Sequence, residues 1–291
     1  MSAESLGQLV HEYASQQLQA ILDAERPLRR REPLVHATRV AIRRLRATLR
    51  TFREVYDEER AAALGEEVRW FALLLGEVRD LDVLQKRLRE QLARLPEDLL
   101  PAAAATGRRL DAAIERKRGA AWRQVHRAMS SRRYRALRSV LRSWLDAPPF
   151  AAEVAAEQPE QARRFVRKAE KVLHRRIQRG LDAAHEGEPD APQLLHSARK
   201  AGKRHRYAVE LAASTLGEHA EELIERRRRL QEALGERQDA IVSYEFLLAM
   251  SRAEHSPSVA FVLGFLTGQE RALLDRDPDE VAEHLEAPAS A

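Results

Sequence analysis

Apolar residues recur along this chain every three to four positions, the spacing that gathers them on one side of an α-helix. The pattern runs through nine segments, about 4–25, 34–54, 58–93, 97–128, 131–146, 160–185, 193–215, 217–251 and 258–275. Between them stand Pro27, Pro33, Pro96, the pair Pro148 and Pro149, Pro159, Pro189, Pro192 and Pro257. Proline lacks a backbone donor and clashes with the preceding turn, so these positions punctuate the helices. No stretch alternates with the two-residue period of a strand. Ala, Leu, Arg and Glu dominate, and all four favour helix. The chain is expected to be all-α.

The segments repeat. LVHATRVAIRRLRATL (34–49) and LLHSARKAGKRHRYAV (194–209) align without gaps, 160 residues apart. LLGEVRDLDV (74–83) and ALGERQDAIV (233–242) align at 159. The same offset carries 4–25 onto 164–185, 58–93 onto 218–253, and 97–128 onto the region beginning at Pro257. Four amphipathic helices joined by short turns most simply form a four-helix bundle. The expected architecture is two pseudo-symmetric four-helix bundles in one unit: residues 1–130, a connecting helix and linker over 131–159, and residues 160–291.

Charge adds a second pattern to the first. The 291 residues include 6 Lys and 44 Arg, and the net charge is +5. Ten arginines and the single acid Glu32 lie between Arg26 and Arg53; eight basic residues and the single acid Glu170 lie between Arg163 and Arg179. On the 34–54 helix His36, Arg39, Arg43, Arg46 and Arg50 fall within one arc, opposite Leu34, Ala41, Ile42, Leu45, Leu49 and Phe52. At 1.5 Å per residue this basic column is about 20 Å long. The second half repeats it with His196, Arg199, Lys203 and Arg206, flanked by Lys200 and Arg204. Like charges at i,i+3 and i,i+4 repel. A face kept only for solubility would mix signs, yet no acid interrupts the column from His36 to Arg50. An external polyanion would supply the missing counter-charge, and a linear column suits a chain of phosphates.

Further basic residues share helix faces: Arg135, Arg138 and Arg142 on 131–146, and Lys168, Lys171, Arg175 and Arg179 on 160–185. The run Arg226 to Arg229 points around its whole helix and reads as solvated surface. Asp80 and Asp239 read as structural partners for column arginines, and Gly76 and Gly235 as sites of close helix approach.

At these residues the sequence resembles the CHAD family, the conserved histidine α-helical domain. The resemblance rests on His36, Arg39, Arg43, Arg44 and Arg46 in the first half. In the second it rests on His196, Arg199, Lys200, Lys203, Arg204, Arg206 and Tyr207. The Leu-Gly-Glu turns ending at Asp80 and Asp239 support it, as does SSRRYRALRSVLRSWL (130–145). It implies a basic channel on the pseudo-twofold axis that binds inorganic polyphosphate, and association with polyphosphate granules. The residues that carry the resemblance in the two halves, together with Arg50, Arg135, Arg138, Arg142, Lys171, Arg175 and Arg179, are the candidate ligands. The second half departs from the first at Gly202, at His205 (opposite Leu45) and at Gln238 (opposite Arg79).

These readings point to a binding module, not an enzyme, without cofactor or metal and with granule proteins as further partners. Cysteine is absent, which excludes disulfides and thiolate sites and fits a cytoplasmic protein. The N-terminal segment lacks the basic start and apolar run of a signal peptide, and no span approaches membrane length. Nucleic acid offers the same phosphates, but Tyr134 and Tyr207 are the only aromatic residues beside the basic segments for base stacking. A metal-dependent phosphohydrolase is the other alternative. It would need histidines and carboxylates converging on a cation that this many guanidinium groups would repel.

Overall fold

The structure, a computed structural model, describes residues 5–275. Residues 1–4 and 276–291, which include the end of the second repeat, lie outside the described residues, as do the side chains of 232–234. In chain order the helices are α1 (Leu6–Asp23), α2 (Glu25–Arg29), α3 (Val35–Thr51), α4 (Glu58–Leu92), α5 (Leu100–Ser130) and α6 (Arg132–Asp146). There follow α7 (Ala152–Ala155), α8 (Ala162–His185), α9 (Ala191–Leu211), α10 (Ala213–Leu216), α11 (His219–Arg252) and α12 (Pro257–Leu274). No strand occurs among the described residues, so the fold is all-α.

Local chemistry sets the helix ends. The Ser5 and Asp57 side chains accept from the Gln8 and Arg60 backbone N–H groups and cap α1 and α4. Ser131 does the same for Tyr134 at the start of α6. Glu58 and Glu59 place negative charge at the positive end of α4. Pro257 opens α12. Pro27 does not interrupt the chain as expected but lies inside the short α2, where the turn after α1 coils once more.

The duplication is visible in the element boundaries. α3 and α9 end at Thr51 and Leu211, and α4 and α11 end at Leu92 and Arg252, each pair 160 residues apart. The short 3-10 turn at Arg53–Val55 has its counterpart in α10. The apolar faces form three clusters. The largest joins α1, α3, the first half of α4, the end of α5 and α6 to Phe165 of α8 and Val209 of α9, and includes Leu45, Phe52, Phe71 and Trp144. The smallest joins α8, α9 and α11 through Leu173, Ala198 and Leu230. The third is shared by both halves: Leu84, Leu88 and Ile114 of α4 and α5 pack with Leu247, Val262 and Leu266 of α11 and α12. Beside it the Arg87 guanidinium donates twice, at 2.6 Å, to the fully buried Glu270 carboxylate, which also accepts from Gln91 at 2.8 Å. No described helix is long and apolar enough to cross a membrane.

Candidate functional site

The two basic columns meet. α3 and α9 pack against each other, with Ile42, Leu45 and Leu49 of α3 and Ala201, Ala208 and Val209 of α9 buried. Along this contact the two columns come within reach of each other's charge, and the basic lining they share is termed the cleft. Arg43 of α3 lies close enough to Arg199 and Lys203 of α9 for its charge to make both harder to protonate. The Lys203 ammonium is pulled down to about 7, first by burial, then by Arg199, Arg43 and Arg206.

The Leu-Gly-Glu motifs form cradles for one arginine of each column. A Cβ on Gly76 would stand 3.1 Å from the Arg39 Nη1, and one on Gly235 would stand 3.4 Å from the Arg199 Nη2. One turn further along α4, Asp80 accepts from Arg39 Nη1 at 3.2 Å. Asp239 of α11 is the acid whose charge acts on Arg199. Glycine lets the guanidinium lie flat on the helix, and aspartate fixes its rotamer. The two cradles are close: burial, and then the Asp80 charge, push the Asp239 carboxyl above the ordinary value against the pull of Arg199, Arg87 and Lys203.

Both histidines stand at the N-terminal ends of the columns. His36 is exposed and lines a cavity of about 450 Å³ between α3, α4 and α5, together with Arg31, Arg79, Arg118 and Trp122. Burial and the charges of Arg79, Arg43 and Arg39 push its pKa down. His196 is pushed down by burial, Lys200, Arg199 and Lys203, while Gln238 hydrogen-bonds to it and opposes the shift. In both, burial and neighbouring cations disfavour the charged imidazole. Four buried nitrogens of the cleft find no acceptor among the described residues: Arg43 Nε, Arg199 Nε, Arg206 Nε and His196 Nδ1. An unsatisfied buried donor costs about 1–3 kcal/mol.

Not every expected ligand reaches this cleft. Arg135, Arg138 and Arg142 lie on α6, which packs on α1, α4 and α5. Arg138 is held by Glu25 at 2.7 Å, and Arg135 donates to the Ser130 carbonyl at 3.0 Å. Lys171, Arg175 and Arg179 are exposed on α8, and Lys168 pairs with Glu54. It is Arg176, a third of a turn round α8 from Arg175, whose charge acts on Arg204. Arg44 is neutralised by Glu210 at 3.0 Å. Tyr207 is buried, with the Arg44 and Arg206 guanidiniums 5.7 and 5.0 Å from its ring centre, so it is a platform for cations and not an exposed ligand.

The Arg226–Arg229 run is not all surface. Arg227 is buried and donates to His205 Nδ1 at 3.2 Å and to Glu170 at 3.0 Å. Burial and this neighbour hold the His205 pKa near 3, so it is a neutral core acceptor. The residue opposite Leu45 is thus polar because an arginine reaches in to meet it.

Comparison with known proteins follows the same lines. The CHAD domain family model matches residues 12–248. Two proteins of Mycobacterium tuberculosis, from strains CDC 1551 and H37Rv and both described as uncharacterized, are 30% identical over 272 residues, 92% of this chain. The chain spans 50% of the length of each. PptA from Streptomyces chartreusis shares the fold, with a TM-score of 0.75 at 22% identity over 97% of this chain and 98% of that one. The CHAD domain from the plant Ricinus communis matches with a TM-score of 0.69 at 25% identity, covering 98% of this chain and 93% of its own. The sequence repeat, the paired histidines and the family match agree: this chain belongs to the CHAD domain family.

Proposed function

We propose that the chain binds inorganic polyphosphate along the α3–α9 cleft, as a binding module without catalysis of its own, and that this binding brings it to polyphosphate granules. The observation that carries the reading is the convergence of both columns on one cleft with buried guanidinium nitrogens left unsatisfied. Each such nitrogen lacks what a phosphate oxygen supplies, a charged acceptor at hydrogen-bond distance. The acids beside the columns already serve cations: Asp80 and Asp239 act on Arg39 and Arg199, and Glu210 holds Arg44 and stands 3.8 Å from Arg206.

Polyphosphate fits this lining better than nucleic acid does. Tyr134 and Tyr207, the aromatic residues beside the basic segments, are both buried and offer no face on which a base could stack. Polyphosphate needs no such face.

The test is charge reversal of the two cradled arginines, Arg39→Glu with Arg199→Glu. Calorimetric titration with polyphosphate of defined length should show affinity reduced by two orders of magnitude or more, with unchanged helical circular dichroism. Retained affinity in a folded double variant would refute the assignment. A DNA arm at equal phosphate concentration should compete poorly. Incubation of wild type with polyphosphate and Mg²⁺ should release no phosphate; release would assign hydrolysis instead.

A further inference from the structure

The repeat makes the two ends of the cleft comparable residue by residue, and they are not alike. Position by position, Arg44, Arg46 and Arg50 of α3 correspond to Arg204, Arg206 and Glu210 of α9. The last residue of the first column is an arginine; its counterpart in the second is an acid.

At one end Glu210 does the neutralising. It accepts from Arg44 Nε at 3.0 Å and from the Tyr13 hydroxyl at 2.9 Å, and it stands 3.8 Å from Arg206. Two cations and one partly buried carboxylate close that end internally. The other end carries the same pair, Arg204 and Arg46, but Arg50 stands where the carboxylate would be. Arg176 of α8 adds a fourth guanidinium, its Nη1 held by Ser197 Oγ at 3.0 Å. The Gly65 carbonyl accepts from Arg46 Nε at 3.2 Å, and Glu66 next to it pairs with Arg69 while its charge also acts on Arg46, opposed by Arg69 and Arg50. Among the described residues no acid pairs with Arg204, whose pKa burial, Arg50, Arg176 and Arg46 pull down to about 10.

We propose that Arg46, Arg50, Arg176 and Arg204 form an anchor for a terminal phosphate at this end of the cleft only, and that Glu210 occupies the equivalent place at the other. The bound polyanion is thereby held one-sidedly: one end is gripped by four guanidiniums, and the other meets an internal carboxylate. This rests on the polyphosphate reading of the cleft and adds the residue that makes it asymmetric. A short anion such as tripolyphosphate, too short to run the length of the columns, should seat at the arginine end.

The experiment is titration of tripolyphosphate, and of long-chain polyphosphate, into wild type, Arg204→Gln, Arg50→Gln and Glu210→Gln. Loss of one charge-assisted hydrogen bond should weaken tripolyphosphate binding roughly tenfold in Arg204→Gln, and measurably in Arg50→Gln. Glu210→Gln still accepts from Tyr13 but frees the charges of Arg44 and Arg206, and should tighten binding about threefold or more. Thermal unfolding of each variant separates binding from folding, and the Arg204 and Arg50 variants decide the matter if Glu210→Gln does not fold. If Arg39→Glu with Arg199→Glu abolishes binding while folded Arg204, Arg50 and Glu210 variants all bind as wild type, the anchor is overturned and the cleft stands. If binding survives the Arg39 and Arg199 reversals, the cleft falls, and the anchor with it.

Discussion

Replacing Lys203 with methionine should make the unliganded protein more stable, and only at neutral and acidic pH. Lys203 sits among Arg199, Arg43 and Arg206 on a half-buried face, with its pKa lowered from 10.5 to about 7. A group whose folded pKa lies below its unfolded value destabilises the fold wherever both states are protonated. That penalty is complete below pH 7, shrinks as the folded lysine gives up its proton, and is gone once the unfolded lysine does so near 10.5. Each tenfold change in proton affinity is worth about 1.4 kcal/mol, so the full shift sets a ceiling of about 5 kcal/mol. Partial exposure and the flexible four-carbon stem reduce the expected gain to about 1–3 kcal/mol. Urea unfolding in a buffer free of phosphate and sulfate should show Lys203→Met more stable than wild type at pH 6, with the difference narrowing steadily to pH 10. A constant difference across that range would mean that the gain is apolar burial alone. No gain at pH 6 would show that the columns do not repel each other in the free protein.

The same groups predict that polyanion binding takes up protons: His36, His196 and Lys203 are all lowered by neighbouring cations that a phosphate chain would offset. Polyphosphate affinity should therefore fall as pH rises from 6 to 9, and binding heats should vary with the ionisation enthalpy of the buffer. Gly76→Ala should weaken polyphosphate binding several-fold, because its Cβ would stand 3.1 Å from Arg39; Gly235→Ala, at 3.4 Å from Arg199, should act more weakly. Titration of both alanine variants checks the order. Glu270→Gln should cost about 2–4 kcal/mol in chemical unfolding, since it leaves the Arg87 charge half-buried without its counter-ion. Affinity should drop steeply between 50 and 200 mM salt as counterions released on binding become harder to expel.

The helices and the columns were legible because one period, 3.6 residues, governs both, and because duplication shows the same His-Arg spacing twice. The pairing of Asp80 with a column arginine was legible, whereas Gly76 and Gly235, read as sites of close helix approach, instead leave room for the Arg39 and Arg199 guanidiniums. Periodicity assigns a residue to a face but not a face to a neighbour. That is why the arginines of α6, correctly placed on one stripe, lie away from the α3–α9 contact, with Arg138 tied to Glu25 and Arg135 to the Ser130 carbonyl. It is also why Arg176 was passed over for Arg175, which differs from it by only 100° of helix. Glu210 was within reach of the sequence, since it continues the second column where Arg50 ends the first. His205 opposite Leu45 was the signal that Arg227 turns inward, because a histidine in a leucine's place needs a donor.

The apolar cluster built jointly by α4, α5, α11 and α12 has a consequence for how such a duplicated chain could have arisen. A solitary half would leave uncovered the sides of this α4–α5 cluster that meet Leu247, Val262 and Leu266. Two identical halves could each lid the other, so the simplest ancestor is a self-paired single-repeat protein whose genes later fused. Once fused, the copies were free to diverge, and an arginine in one could become a glutamate in the other.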